Sequence, residues 1–576
     1  MASADHTTRP IRIGNCSGFY GDRLTAMREM LTGGPLDVLT GDYLAELTML
    51  ILGRDQLEDA SVGYAKTFLR QLAECLDLAL ERGVRIVANA GGLNPAGLAE
   101  GIGRLGTSAL VAYVDGDDLR GRPEAPGALT ANAYLGAFGI ARALDAGADV
   151  VVTGRVTDAS LVIGPAIAHH GWTRADLDAL AGATVAGHVV ECGAQATGGN
   201  FAGFTGLDLS APLGFPIAEV AADGSAVITK HPGTGGAVTP DTVTAQLLYE
   251  VQGPLYLGPD VSADLTSIRL AAQGEDRVAI TGVIGQAPPA RLKVAVNELG
   301  GWRNRAEFVL TGLDLEAKAA LVRAQLAPVL EGVEHRWATE FGPVPTLATE
   351  SQASALLRLD VYAADAETVG RAFTAPVIEL ALASYPGFHV TRPPERPTPY
   401  GVFRARYVDR DAVTETVHLP GGSVEAVPGP TEVTSSPATA PPAAALSAPR
   451  RWSGNDERVR IRPLGDLVFA RSGDKGGDAN LGLWIPQSRP DAALDWLYDQ
   501  VDEEFVRDLV PGSEELDLDL HRLPNLRGLN IVLHGWLDQG VAQTSRFDPQ
   551  AKALGEWVRS RRVPIPIDLV ELVEEA

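Results

Sequence analysis

The densest run of reactive side chains is Gly187-His-Val-Val-Glu-Cys-Gly-Ala-Gln-Ala-Thr-Gly-Gly-Asn-Phe, where an imidazole, a carboxyl and a thiol fall within five residues. A thiol beside an imidazole would be a nucleophile and its base. Val189 and Val190 favour a strand here, in which the four-residue offset from His188 to Cys192 covers about 13 Å. In a helix the same offset would be about 6 Å of rise, but the valine pair favours the strand. The two are therefore expected not to touch. Cys192 then either takes a base from another loop or is a small buried hydrophobe, the common fate of a free cysteine. Glu191, just before a Gly-rich turn, is the alternative general acid or base. Gly199 and Asn200 lie in that turn.

Other polar, Gly-rich segments could converge on the same chemistry. Gly14-Asn-Cys-Ser-Gly-Phe-Tyr-Gly-Asp-Arg contains Gly18, Asp22 and Arg23, and Thr40-Gly-Asp-Tyr contains Asp42. Asn89-Ala-Gly-Gly-Leu-Asn offers Asn89, Gly91, Gly92 and Asn94; Thr153-Gly-Arg-Val-Thr-Asp offers Arg155 and Asp158. The first loop is either a phosphate- or carboxylate-binding turn or a tight corner needing glycine. Asn89 beside Gly-Gly is either turn chemistry or ligand recognition. Arg155 suits a carboxylate or phosphate, and Asp158 suits the start of a helix. Lys230, in Thr229-Lys-His-Pro-Gly-Thr-Gly-Gly, binds an anion or sits in a solvated turn. Near the C-terminus, Ala470-Arg-Ser-Gly-Asp-Lys-Gly-Gly-Asp-Ala-Asn crowds Arg471, Asp474, Lys475, Asp478 and Asn480 into one loop, for binding or for ion pairing within it.

The elements that must position these residues can be read from periodicity. Ile11-Arg-Ile-Gly, Leu36-Asp-Val-Leu, Val84-Arg-Ile-Val-Ala and Asp149-Val-Val-Val-Thr read as strands. Helices are expected over 64–82, closed by Gly83, and over 131–146. Strands separated by helices imply a parallel sheet covered on both faces, and ligands bind such sheets beyond the carboxyl ends of the strands. The four loops named above follow strands. The fold class expected is α/β, a parallel-sheet Rossmann-like core over about 9–235 with an α+β subdomain over about 240–430. That subdomain takes strands at 305–311, 355–363 and 388–391 with helices near 314–328 and 366–383. Residues 431–457, rich in Pro, Ala, Ser and Thr, read as a mobile linker. Residues 458–576 read as a separate small α+β domain, with strands at 464–471, 481–485 and 530–537 and helices at 491–508 and 548–559.

A chain of 576 residues with 45% apolar side chains can fill more than one core. A formal charge of −25 disfavours nucleic acid and anionic membranes as partners. Three scattered cysteines, a polar start and the absence of roughly 20 consecutive apolar residues predict a cytoplasmic protein. No Gly-x-Ser-x-Gly elbow, Walker lysine loop, His-Glu-x-x-His or Cys/His cluster is present, so no metal is expected. No Tyr-x-x-x-Lys pair supports a dehydrogenase.

Taken together, Gly18-Phe-Tyr-Gly-Asp-Arg, Gly41-Asp-Tyr-Leu-Ala-Glu, Ala88-Asn-Ala-Gly-Gly-Leu-Asn-Pro, Thr153-Gly-Arg-Val-Thr-Asp-Ala, His188-Val-Val-Glu-Cys-Gly and Thr197-Gly-Gly-Asn-Phe resemble the acyclic terpene utilisation (AtuA) family. Gly214-Phe-Pro-Ile-Ala-Glu and Ile228-Thr-Lys extend the likeness, and Arg471-Ser-Gly-Asp-Lys-Gly-Gly-Asp-Ala-Asn resembles the small ferredoxin-fold domain appended to such proteins. The resemblance implies breakdown of citronellol- and geraniol-type terpenes through branched acyl-CoA intermediates, with coenzyme A as part of the substrate. It brings no settled catalytic residues. The reading is an enzyme acting on an acyl-CoA or related carboxylate, by lyase or hydrolase chemistry, in a homo-oligomer. Glu191 or His188 would move protons and Arg155 would hold a carboxylate, with Asn89, Asn94 and the adjacent glycines lining the pocket. Two alternatives stand beside it: a non-catalytic partner of an acyl-CoA carboxylase or other catabolic enzymes, and a nucleotide-binding protein using the loop at 14–23.

Overall fold

Short Val- and Ile-rich runs build the central ladder of the first compact unit. They are β1 (Ile11–Asn15), β2 (Val38–Gly41), β3 (Arg85–Ala88), β4 (Val111–Asp115) and β6 (Val150–Thr153), with β5 (Thr130–Ala133) set apart. The computed structural model describes residues 9–342, 349–434 and 458–570. Five strands pair in parallel in the order β1-β2-β3-β6-β4, with Ile13 opposite Val38 and Ile86 opposite Val150. Alternate residues serve two cores. Leu39, Ile86 and Val152 pack with Met27, Phe68 and Leu72 on one face; Val38, Val87 and Val151 pack with Ile140, Ile163 and Val185 on the other.

The sheet is mixed and has eleven strands, whereas a parallel sheet was expected. Beyond β1 lie antiparallel β7 (Pro216–Val220) and β8 (Ala226–Lys230), then Val278–Thr281 and Arg269–Ala272. Beyond β4 lie Thr416–His418 and Val424–Ala426. The connection from β7 to β8 is a tight turn closed by Ala221 N–H donating to the Ser225 carbonyl at 2.8 Å. So short a link can only join antiparallel strands. With β7 on its outer side, β1 is not the reversal point that a 3-2-1-4-5-6 dinucleotide sheet has.

Two local expectations are corrected. The residues around His188 form no strand: Leu177–Val190 is a helix, buried at every position from Ala179 to Val190. Burial on all sides overrides the strand preference of two valines. The helix expected over 131–146 is shorter, Phe138–Asp145, because β5 leaves the helix to pair with the start of the long strand Arg291–Thr311, Val294 facing Ala133.

The C-terminal module carries a sheet in the order Phe469–Lys475, Asp478–Trp484, Gly528–Leu533, Leu518–Leu523, two antiparallel hairpins edge to edge. Helices Asp491–Gln500, Glu503–Leu509 and Leu554–Ser560 accompany it. Val459–Pro463 pairs with Arg562–Pro566. The strand expected at 464–471 starts later, and Leu518–Leu523 is additional to the expected set. This module belongs to the same compact unit as residues up to 297 and 404–434, and its Trp484, Leu523 and Leu526 join the large apolar cluster of the parallel sheet. Of the expected linker, Thr434 pairs with Pro288 and Ala290 (2.9 and 3.0 Å); positions 435–457 lie outside the described residues.

The second unit comprises Glu298–Phe403 with Asp538–Pro549, so residues 240–297 and 404–430 of the expected subdomain fall in the first. Its sheet order is Glu334–Glu340, Ser354–Ala363, Arg291–Thr311, His389–Val390, wholly antiparallel. With helices Leu315–Leu330 and Arg371–Glu379 this gives β-α-β-β-α-β, the ferredoxin-like arrangement expected for it. Strand Glu334–Glu340 escaped notice because its charged residues have no buried alternation. No helix among the described residues is long and apolar enough to cross a membrane.

Candidate functional site

The loops leaving the carboxyl ends of the parallel strands meet. From β1, Asn15 Nδ2 donates to the Glu191 carbonyl at 3.4 Å. Gly18 lies so close to Cys192 that a Cβ there would sit 2.6 Å from the Cys192 carbonyl carbon, so this corner admits no side chain. From β2, Asp42 accepts a hydrogen bond from Asn89 Nδ2 (2.6 Å), and Asn89 Oδ1 accepts from Tyr43 N–H (2.7 Å), which ties β2 to β3. From β6, Arg155 donates its backbone N–H to Asp117 after β4 (2.8 Å) and Nη1 to Asp158 (2.6 Å). Its guanidinium lies over the Tyr134 ring, 4.4 Å from the centroid.

Against these loops stands the C-terminal end of helix Leu177–Val190. The helical offset of three brings His188 and Glu191 onto one face, and His188 Nδ1 meets Glu191 Oε1 at 3.0 Å. Both are deeply buried, 3% and 6% exposed. Each has a polar atom, His188 Nε2 and Glu191 Oε2, with no hydrogen-bond partner among the described residues. The Gln246 backbone lies near His188 but makes no hydrogen bond of normal geometry with Nε2. The His188 ring tilts against Tyr256, centroids 4.7 Å apart. Cys192 follows Glu191, the residue that caps the helix.

Charges in this volume are strongly coupled. Burial, helped by Asp158 and Glu250, pushes the Glu191 carboxyl well above the ordinary carboxylate range. Burial and Lys475 lower His188 to about 4, so its imidazole is neutral. Burial and Asp158 raise Asp42, and burial, Glu250 and Glu191 raise the Cys192 thiol far above a reactive value. Burial would raise Glu46 too, but Lys293, Lys475 and Arg155 hold it below the ordinary value. The result is a carboxyl whose protonated form is favoured by burial, beside an imidazole that burial and Lys475 keep neutral.

The C-terminal hairpin completes the enclosure. Arg471 donates to the Gln195 side chain and to the Asn200 carbonyl (3.2 Å for the latter), and lies 4.2 Å from the Tyr249 ring centroid. Asn480 Oδ1 accepts from Glu250 N–H at 2.8 Å, while Asn480 and Asn530 donate to the Val251 carbonyl (3.3 and 3.0 Å). Glu250 is held at φ 57°, rare for a non-glycine residue. Lys475 lies in the field of Glu250, Glu46, Tyr134 and Asp158, which together keep its ammonium above the ordinary value against the opposing effect of burial. Burial and Glu250 push Asp474 up to about 8. Ion pairing inside the hairpin loop is not what occupies Arg471: it reaches the loop after the buried helix.

Several expected site residues serve the backbone instead. Asp22 accepts from Gly18 N–H (2.9 Å) and Arg23 N–H (2.7 Å), and Arg23 binds Glu29 and the Leu213 carbonyl. Asn94 caps helix Pro95–Gly103 through Gly97 N–H, preceded by the turn at Gly91 and Gly92. Lys230 pairs with Asp276 (2.9 Å) and the Thr234 carbonyl. Gly199 N–H closes a turn on Ala194, Asn200 is exposed, and Asp478 binds His534 and Gly535 N–H. Residues that sequence reasoning did not select include Glu46, Tyr134, Glu250, Tyr256 and Lys293. Glu46 ends the quoted Gly41-Asp-Tyr-Leu-Ala-Glu stretch, a signal that was present; the others stand in segments without motif character.

Two open cavities of about 710 and 250 Å³ belong to the second unit and share no lining residue with this cluster. The first is lined mainly by uncharged groups and the second largely by charged groups, among them Arg305 paired with Asp360 and Arg392 with Glu395. The buried cluster carries the unsatisfied acid–base chemistry and is the candidate site. No group of three or more His, Cys, Asp or Glu disposed to hold a metal occurs among the described residues. Residues 11–419 match the model of a family described as acyclic terpene utilisation family protein AtuA, and residues 462–564 match the AtuA ferredoxin-like domain. No curated protein and no solved structure matches the chain.

Proposed function

The chain belongs to the acyclic terpene utilisation AtuA family, and from that premise we propose that it is an enzyme acting on a branched or terpenoid acyl-CoA, or a related carboxylate, by proton-transfer chemistry of the lyase or hydrolase type. One observation carries the reading: a buried His188–Glu191 pair leaves Nε2 and Oε2 without a hydrogen-bond partner among the described residues. Leaving two such atoms unsatisfied costs about 1–3 kcal/mol each, unless a polar ligand group meets them. Cleaving a carbon–carbon bond next to an acyl group, or a thioester, needs a proton taken from one atom and returned to another. A neutral imidazole can accept one, and a carboxyl whose proton is held more tightly by burial is suited to supply one.

Arg155 supports this reading differently from the sequence expectation. Its Nη1 is engaged by Asp158 and its face by Tyr134, so it fixes Asp158 and sets the local positive potential. Turnover of a panel of saturated, unsaturated and hydroxylated branched acyl-CoAs tests the proposal. Glu191→Gln, which keeps shape and loses the proton, is expected to lower kcat by about 10²- to 10⁴-fold with an unchanged circular dichroism spectrum. A wild-type protein inert to the whole panel, yet co-purifying with an acyl-CoA carboxylase, would favour the non-catalytic alternative.

A further inference from the structure

We propose that Lys475 of the C-terminal module is the cation that receives the anionic or carbonyl oxygen of the substrate's acyl group, so that the site is complete only when both modules contribute. This deepens the acyl-substrate reading and rests on it. The hairpin reaches the site by contact along its length: Gly473 lies where a Cβ would be 2.3 Å from the Tyr249 ring, and Asn480 grips Glu250 N–H. Lys475 continues that strand by two residues, toward the hairpin turn. Among the described residues it makes no contact ion pair. Glu250, Glu46, Tyr134 and Asp158 act on its charge from a distance.

An independent observation points to a ligand here. His188 and Glu191, which both sense Lys475, keep Nε2 and Oε2 unpartnered although more than nine-tenths buried. An oxyanion or carboxylate against Lys475, with the neighbouring atom facing His188 and Glu191, satisfies all three. The flanking carboxylates Glu46 and Glu250 keep the ammonium charged in a water-poor site, where a cation acts on an acyl oxygen more strongly than in water. Glu250 is itself placed by the module, through Asn480.

Binding measurements on the full-length protein test the assignment without requiring turnover. Calorimetry with a branched acyl-CoA and with the corresponding free acid is compared for wild type, Lys475→Met and Lys475→Arg. The expected result is at least 10-fold weaker binding of both probes by Lys475→Met, substantially restored in Lys475→Arg, with melting temperatures close to wild type. A second readout is amine acylation mapped by mass spectrometry: either probe should protect Lys475. If wild type binds the probes and Lys475→Met binds them equally well, the assignment of Lys475 is overturned and the acyl-substrate reading survives. If wild type binds neither probe, the acyl-substrate reading itself is overturned.

Discussion

Arg155 spends its guanidinium on two neighbours at once, Nη1 on Asp158 at 2.6 Å and its face on Tyr134. Removing it strands a partly buried carboxylate, so Arg155→Ala is expected to cost about 3 kcal/mol of stability, read as the midpoint shift in urea unfolding. A change below about 0.5 kcal/mol would mean the pair is an ornament of the surface kind. Asp117, beneath Arg155, makes a pH prediction. Burial raises it to about 7, while its neighbours Arg155 N–H and Asn132 oppose the rise. An unfolded aspartate ionises near about 3.9. Between these values the folded chain binds the extra proton. The stabilisation is therefore full below about pH 4 and lost as pH rises through about 7, at up to about 1.4 kcal/mol per pH unit. Asp117→Asn should flatten that decline in a melting-temperature profile from pH 5 to 8. His188, lowered to about 4, has the opposite sign: its stabilisation is present above about 6.5 and lost as pH falls through about 4.

At the scale of elements, the hairpin Phe469–Lys475 and Asp478–Trp484 matters through how closely it approaches. Gly473 has no room for a methyl against the buried Tyr249 ring, so Gly473→Ala is expected to destabilise by about 1–3 kcal/mol; denaturant unfolding with no loss would show the ring moves aside freely. The strands β1, β2, β3 and β6 were legible because each is a short apolar run followed by polar Gly-rich residues, and that same pattern pointed to Asp42, Asn89 and Arg155 at one sheet edge. The helix carrying His188 was not legible. Ala and Gly dominate it, and its two terminal valines read as strand. That error hid the His188–Glu191 contact, because only helical spacing lets residues 188 and 191 meet. Glu250 and Lys293 had no local signal at all: tertiary approach alone brings them to the site.

For the whole molecule, the C-terminal module is not an appendage. It shares an apolar cluster with the parallel sheet through Trp484, Leu523 and Leu526, and Asn525 Nδ2 donates to the Leu265 and Ile268 carbonyls (2.8 and 3.0 Å). Composition suggested an independent domain beyond a Pro- and Ala-rich stretch, since a sequence shows where a connection runs and not what docks after it. A protease site engineered within 435–457 should therefore yield two fragments that co-elute in size-exclusion chromatography and melt in one transition. Two fragments separating without denaturant would contradict the shared core.

The indole of Trp484 is wedged between two phenyl rings, Phe469 of its own hairpin at 5.8 Å and Phe201 of the sheet unit at 6.5 Å, and donates Nε1–H to Asp241 at 3.2 Å. Two of those three partners come from the other side of the junction. In a background with the remaining seven tryptophans changed to phenylalanine, its emission becomes an optical gauge of the seam, blue while the modules are seated and red once water reaches the ring. Parting of the two halves could then be timed by stopped-flow fluorescence, separately from melting of either one.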